Sequence, residues 1–149
     1  MQVLSIESAG IPLWRLLIIA GFLIPALAGD IKERKISLIP CIIGTASGII
    51  TGMLTGMGIR DLLFGLIPGL AVIVISILLK GTIGTGDGVI LTMLGSFLGL
   101  WRTVTVLFTA LMISMIVALV LLMLKKVSGK TEFPFVPFIC AGFVVSAFI

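Results

Sequence analysis

The chain has 149 residues, of which 60% are hydrophobic and only 11% charged, with a formal net charge of +4 and a mean hydropathy of +1.40. This balance excludes an ordinary soluble domain, in which about a quarter of the residues are charged, and fits a single domain, residues 1–149, of a polytopic membrane protein. The basic residues are scattered in short segments between apolar runs, so they report membrane topology and give no reason to invoke nucleic acid.

No basic residue precedes Arg15, and the N-terminus does not read as a signal peptide. The first apolar run, about Ile11–Gly29, closes on Asp30 and is followed by the charged stretch Ile31-Lys32-Glu33-Arg34-Lys35. The second, about Ile36–Met57, carries Gly44, Gly48, Gly52 and Gly56 at every fourth position, a small-residue stripe suited to close helix packing. The third covers about Asp61–Leu79. The fourth opens on Gly84-Thr85-Gly86-Asp87-Gly88 and is short, about Asp87–Trp101. The fifth covers about Thr103–Leu124, and the sixth, about Phe135–Ile149, is again short. Runs one, two, three and five have the roughly 20 residues a spanning helix requires. The runs are continuous and do not alternate, so the expected fold is all-α, with about six transmembrane helices. Pro25, Pro40 and Pro68 fall within runs and predict kinks. Cys41 and Cys140 lie in apolar runs without metal or redox spacing and read as small core residues.

Six spans sort the charges. One side receives Lys32, Arg34, Lys35, Lys80, Lys125, Lys126 and Lys130. The other receives Arg60 and Arg102, with Arg15 at its edge. The basic-rich side is expected to be cytoplasmic. Asp30 and Asp87 both fall on that side.

Acids are scarce, being Glu7, Asp30, Glu33, Asp61, Asp87 and Glu132, and histidine and tyrosine are absent. Asp87 has a structural explanation as a helix cap. Asp30 has one as an interfacial anchor paired with Lys32 or Arg34, although at a helix C-terminus it opposes the helix dipole, which counts against a capping role. A carboxylate in a spanning segment is costly and points to function. Two carboxylates with no other acid/base group suit aspartyl hydrolysis, in which one is ionised and activates water while the other is protonated and polarises the scissile carbonyl. The two titrate as a unit, so neither role is assigned to one residue. The glycines around Asp87 are expected to admit a closely approaching backbone or substrate strand. A phosphate-binding loop is disfavoured, since no Walker lysine follows.

Three stretches together resemble the type IV prepilin peptidases, a family of GxGD membrane aspartyl enzymes. They are Asp30-Ile31-Lys32-Glu33-Arg34-Lys35-Ile36, then Gly84-Thr85-Gly86-Asp87-Gly88 running into Val89-Ile90-Leu91-Thr92, and the terminal Phe133-Pro134-Phe135-Val136-Pro137-Phe138. The resemblance implies a catalytic pair of Asp30 and Asp87, with Gly84, Gly86 and Gly88 shaping the loop. It implies a pilin-like or pseudopilin precursor as substrate, cut after a short basic leader at the cytoplasmic face of a prokaryotic plasma membrane. Glu33 and Glu132 are candidate leader contacts, and a substrate helix is expected against the small-residue face of the second span. Two positions depart from the family pattern: Ser37-Leu38 follows Ile36 where Pro-Asn is common, and Val89 stands where lysine is common. Nothing resembles the extra cysteine-bearing domain of the bifunctional relatives, so neither methyl transfer nor any cofactor or metal is expected. The competing readings are a small proton- or cation-coupled transporter or channel subunit using the same acids, a presenilin-like intramembrane protease, and a structural assembly subunit. Against the presenilin-like reading, Gly29 stands where that family's first motif has tyrosine.

Overall fold

A computed structural model describes residues 11–33, 38–79, 84–124 and 134–148. Among them there are six helices and no strand: α1 (Leu13–Glu33), α2 (Leu38–Leu54), α3 (Ile59–Leu78), α4 (Thr85–Leu98), α5 (Leu100–Met123) and α6 (Val136–Phe148). Glu132 and the basic residues Arg34, Lys35, Lys80, Lys125, Lys126 and Lys130 lie outside the described residues, as does the side chain of Glu33.

The all-helical expectation holds, and the span lengths need correction. Only α1, α3 and α5 are long and apolar enough to cross a membrane. At 17, 14 and 13 residues, α2, α4 and α6 rise roughly 26, 21 and 20 Å, short of a hydrocarbon core of about 30 Å. Glycine sets two of the boundaries. Gly56, with φ 75°, lies in the turn beyond Leu54 and ends α2, so the fourth member of the glycine stripe terminates the helix and does not pack. Gly99, with φ 76°, closes α4 by donating its N–H to the Gly95 carbonyl at 3.0 Å. Trp101, expected at the end of the fourth run, and Arg102, expected between runs, therefore both belong to α5. Pro40 stands in the first turn of α2, where a missing N–H costs little. Pro25 and Pro68 do lie inside helices, α1 and α3.

The short helix α4 is the centre of the bundle. Ile90, Leu91, Met93, Leu94 and Phe97 are fully buried. It packs most extensively on α3, then on α2, with α1 and α5 completing the ring. The α3–α4 contact is backbone against backbone. A Cβ on Gly95 would overlap the Gly65 carbonyl, one on Gly69 would overlap Thr92, and one on Gly88 would come within 2.5 Å of Ile73 Cγ1 and 3.0 Å of the Gly69 carbonyl. This order shows the two helices antiparallel. On the other side, Gly44 faces Met93 and Gly48 faces Ser96 and Phe97, so α2 and α4 run parallel. The stripe of α2 does pack closely, as its spacing predicts, but α4 already covers it. It is not free to take a substrate helix.

Hydroxyls inside the bundle bond to their own helices, as an apolar environment demands. Ser96 donates to the Met93 carbonyl at 2.6 Å, Thr92 to Gly88 at 2.8 Å and Thr103 to Gly99 at 2.7 Å. The outer surface is apolar, with Leu17, Ile39, Phe108, Ile116 and Met123 all exposed, a coat suited to hydrocarbon and not to water.

The glycine contacts predict a sharp contrast between two substitutions. Gly95→Ala drives a methyl into the α3 backbone and should lower the unfolding free energy in detergent by about 1–3 kcal/mol. Gly21→Ala in α1, where nothing lies within 4 Å of the added Cβ, should be neutral or stabilise by up to ~1 kcal/mol. Thermal unfolding in one detergent measures both.

Candidate active site

Asp30 stands in the last turn of α1 and Asp87 in the first turn of α4. The helix register brings them to one level. Phe22 of α1 lies against Gly44, which also lies against Met93 of α4. From that common level, eight residues along α1 to Asp30 and six back along α4 to Asp87 are roughly 12 and 9 Å in the same direction. The two carboxylates are close enough for their charges to act on one another.

Their surroundings differ. Asp30 is 7% exposed, and its Oδ2 accepts a hydrogen bond from the Val136 N–H at 3.2 Å. Val136 is the first residue of α6, so a side chain from the end of α1 caps a helix more than a hundred residues away. Pro137 follows Val136, supplying no amide of its own, and Phe135 precedes it, accepting from Phe138 and Ile139. An amide can only donate, so Oδ2 remains an acceptor and Oδ1 is the oxygen left to carry a proton or face water. The thiol of Cys140, one turn into α6, also lies within the field of Asp30.

Asp87 is half-buried and takes no hydrogen bond from a described side chain or amide. It occupies the third position of α4, after the extended Gly84, and makes no side-chain cap. The simple capping explanation is thus set aside, although the positive end of α4 still favours a negative charge there. Its carboxylate folds back over Gly84, where a Cβ would come within 2.9 Å of Oδ2.

The structure corrects the role expected of the glycine segment. Thr85, Gly86, Asp87 and Gly88 are helical and not a loop. Gly88 is buried against Ile73 of α3 and is a packing residue, closed to substrate. Gly84 is exposed and Gly86 half-buried, and these two remain beside the carboxylate. Lys32 is exposed at the same end.

The residue that sequence reasoning missed is Val136, which acts through its backbone. The sequence signal was present: a proline at the second position of an apolar helix marks a helix start whose first amide needs an acceptor. Comparison with protein-family models, with curated proteins and with solved structures returns no match.

Asp30→Ala leaves the buried Val136 N–H without an acceptor and should destabilise the fold by about 1–3 kcal/mol. Asp30→Asn keeps an oxygen acceptor and should unfold within about 1 kcal/mol of wild type. Equal loss in the two variants would remove the α1–α6 clasp from the account.

Proposed function

We propose that the protein is a membrane aspartyl endopeptidase of the type IV prepilin peptidase kind, removing the basic leader of pilin-like or pseudopilin precursors at the cytoplasmic face. The observation that carries this reading is the pairing of Asp30 and Asp87. Two acids from distant parts of an acid-poor chain meet at one end of the bundle, with one of them buried and hydrogen-bonded.

The chemistry follows from two acids holding one proton between them. The ionised carboxylate takes a proton from a water as its oxygen attacks the scissile carbonyl. The protonated carboxyl donates to the carbonyl oxygen, giving a tetrahedral diol. Collapse breaks the C–N bond, with a proton passing to the departing amine and one carboxyl again ionised. The Val136 amide keeps Oδ2 of Asp30 as an acceptor, so the reacting face of that residue is Oδ1.

A path for substrate is supported by a groove of about 380 Å³ between α2 and α3, with α4 as its floor. It is lined by Ile42, Thr45, Ala46, Ile49, Ile73, Val89 and Thr92. Val89 is two residues from Asp87, so the groove ends near the level of the acid but on a different face of α4. Its lining suits the apolar helix of a precursor, which takes the place the sequence reading gave to the glycine stripe. Six membrane crossings and the plasma membrane of a prokaryote belong to the same proposal. The three long apolar helices support membrane residence. The shorter α2, α4 and α6 then cross where neighbouring helices and local thinning make up the difference.

Co-expression with a pilin-like precursor tests the catalytic pair. Asp30→Asn and Asp87→Asn should each slow processing by roughly 10²–10⁴-fold. Wild-type processing by either variant would refute the pair, and loss of ion flux without any processing would favour the transporter reading. Filling the groove gives an independent check. Ala46→Phe, at an exposed position, should raise the KM for the precursor by about tenfold with little change in kcat or thermal midpoint. An unchanged KM would move the substrate helix elsewhere.

A further inference from the structure

Two of the long helices run well past the level of the acids. Gly99 ends α4 and sits against α3, where a Cβ would come within 3.8 Å of the Asp61 carbonyl, so α3 and α5 start at one level. Exposed Arg60 and Trp101 mark it as a headgroup level. Back along α4, Asp87 stands twelve residues from Gly99, roughly 18 Å. A hydrocarbon core is about 30 Å deep, which leaves the carboxylate about 12 Å short of the far boundary. The neighbouring helices agree. Gly88 meets Ile73 of α3, and α3 runs on to Leu78, about five residues and roughly 8 Å past that level. Gly142 of α6 meets Val106 and Ala110 of α5, and Phe135 and Phe138 line one groove with Ser114 and Ala118. These two helices are therefore antiparallel, and Val136, which donates to Asp30, is level with Ser114. From there α5 continues to Met123, about nine residues and roughly 13 Å further.

The overhanging turns are apolar on the outside. Ile77, Leu78, Leu119, Leu122 and Met123 are all more than half exposed, and no charged residue lies in 74–78 or 115–123. Exposed apolar turns belong in hydrocarbon, so the membrane boundary runs near the ends of α3 and α5, beyond the acids. Lys32, exposed two residues past Asp30, has a stem long enough to carry its ammonium toward the headgroups. We propose that the carboxylate pair works inside the bilayer, about 10 Å beneath the headgroups of the face it serves. Its substrate is then a membrane-anchored segment, with the scissile bond drawn in as about three residues of extended chain, and not a soluble peptide. The depth stands on helix register alone, whereas the choice of substrate rests on the peptidase reading.

Spin labels measure the depth directly. Ile31 adjoins Asp30 in the chain and continues the exposed stripe of Leu17 and Ile24 on α1, so a label there faces lipid. Ile31→Cys and Met123→Cys, each combined with Cys41→Ala and Cys140→Ala, are labelled with a nitroxide in the full chain. Power saturation against oxygen and a water-soluble nickel chelate, in bilayers of phosphatidylcholine and phosphatidylglycerol, reads each label's distance from the headgroups. The label at 31 should lie about 10 Å deeper than the label at 123. Equal depths, or a shallower label at 31, overturn the proposal. Should the cysteine replacements unfold the protein, Ile31→Trp and Met123→Trp in the native background give the same comparison, read as quenching by lipids brominated at known depths beyond that of the wild-type tryptophans. Substrate choice is tested in the same bilayers. A pilin-like precursor that keeps its apolar helix should be cut with a kcat/KM about a hundredfold or more above that of a soluble peptide carrying the same leader and junction. Equal values overturn the choice of an anchored substrate. A deep label at 31 with neither substrate cut upholds the depth and refutes the peptidase reading.

Discussion

The contact on which the structure depends is the glycine-lined seam between α3 and α4. Gly65, Gly69, Gly88 and Gly95 let the two backbones touch, and Gly44 and Gly48 of α2 seat the opposite face of α4 against Met93 and Ser96. In hydrocarbon there is no hydrophobic drive to bring helices together, so such close backbone packing is what holds them. It also fixes the height of α4 along its axis. A slip of one turn, about 5.4 Å, would carry Asp87 away from the level of Asp30. The seam therefore sets the site as well as the fold.

Axial placement gives the bundle two chemically different ends. At one end the N-termini of α4 and α6 meet two acids, and each acid is favoured by a positive helix end. Asp87 lies within the first turn of α4 and Asp30 accepts from the first amide of α6. At the other end the N-termini of α1 and α5 carry arginines, an arrangement unfavourable by itself.

Much of this was legible in the sequence. Continuous apolar runs gave the helices, and the four-residue spacing of Gly44, Gly48 and Gly52 gave a packing stripe. The alternation of spans put Asp30 and Asp87 at the same end. The errors share a cause, which is that composition does not reveal what covers a surface. Gly88 looked open to substrate because its neighbours in the chain are small, yet Ile73 and Gly69 of another helix fill the space. Gly56 matched the stripe by spacing, but its positive φ made it the end of the helix. The Val136 contact was hidden for a different reason. It is made by a backbone amide across a separation of 106 residues, so Pro137 marks a helix start in need of an acceptor while no side-chain pattern names Asp30 as that acceptor.

The central claim is that Asp30 and Asp87 form one electrostatic unit. The chain has three aspartates, the third being Asp61 at the other end, so labelling aspartate with ¹³C at the carboxyl carbon gives three resolvable signals. The most direct measurement is the titration of those signals in wild type and in Asp30→Asn. The account predicts that the substitution displaces the midpoint of Asp87. An Asp87 titration identical in the two proteins would contradict it.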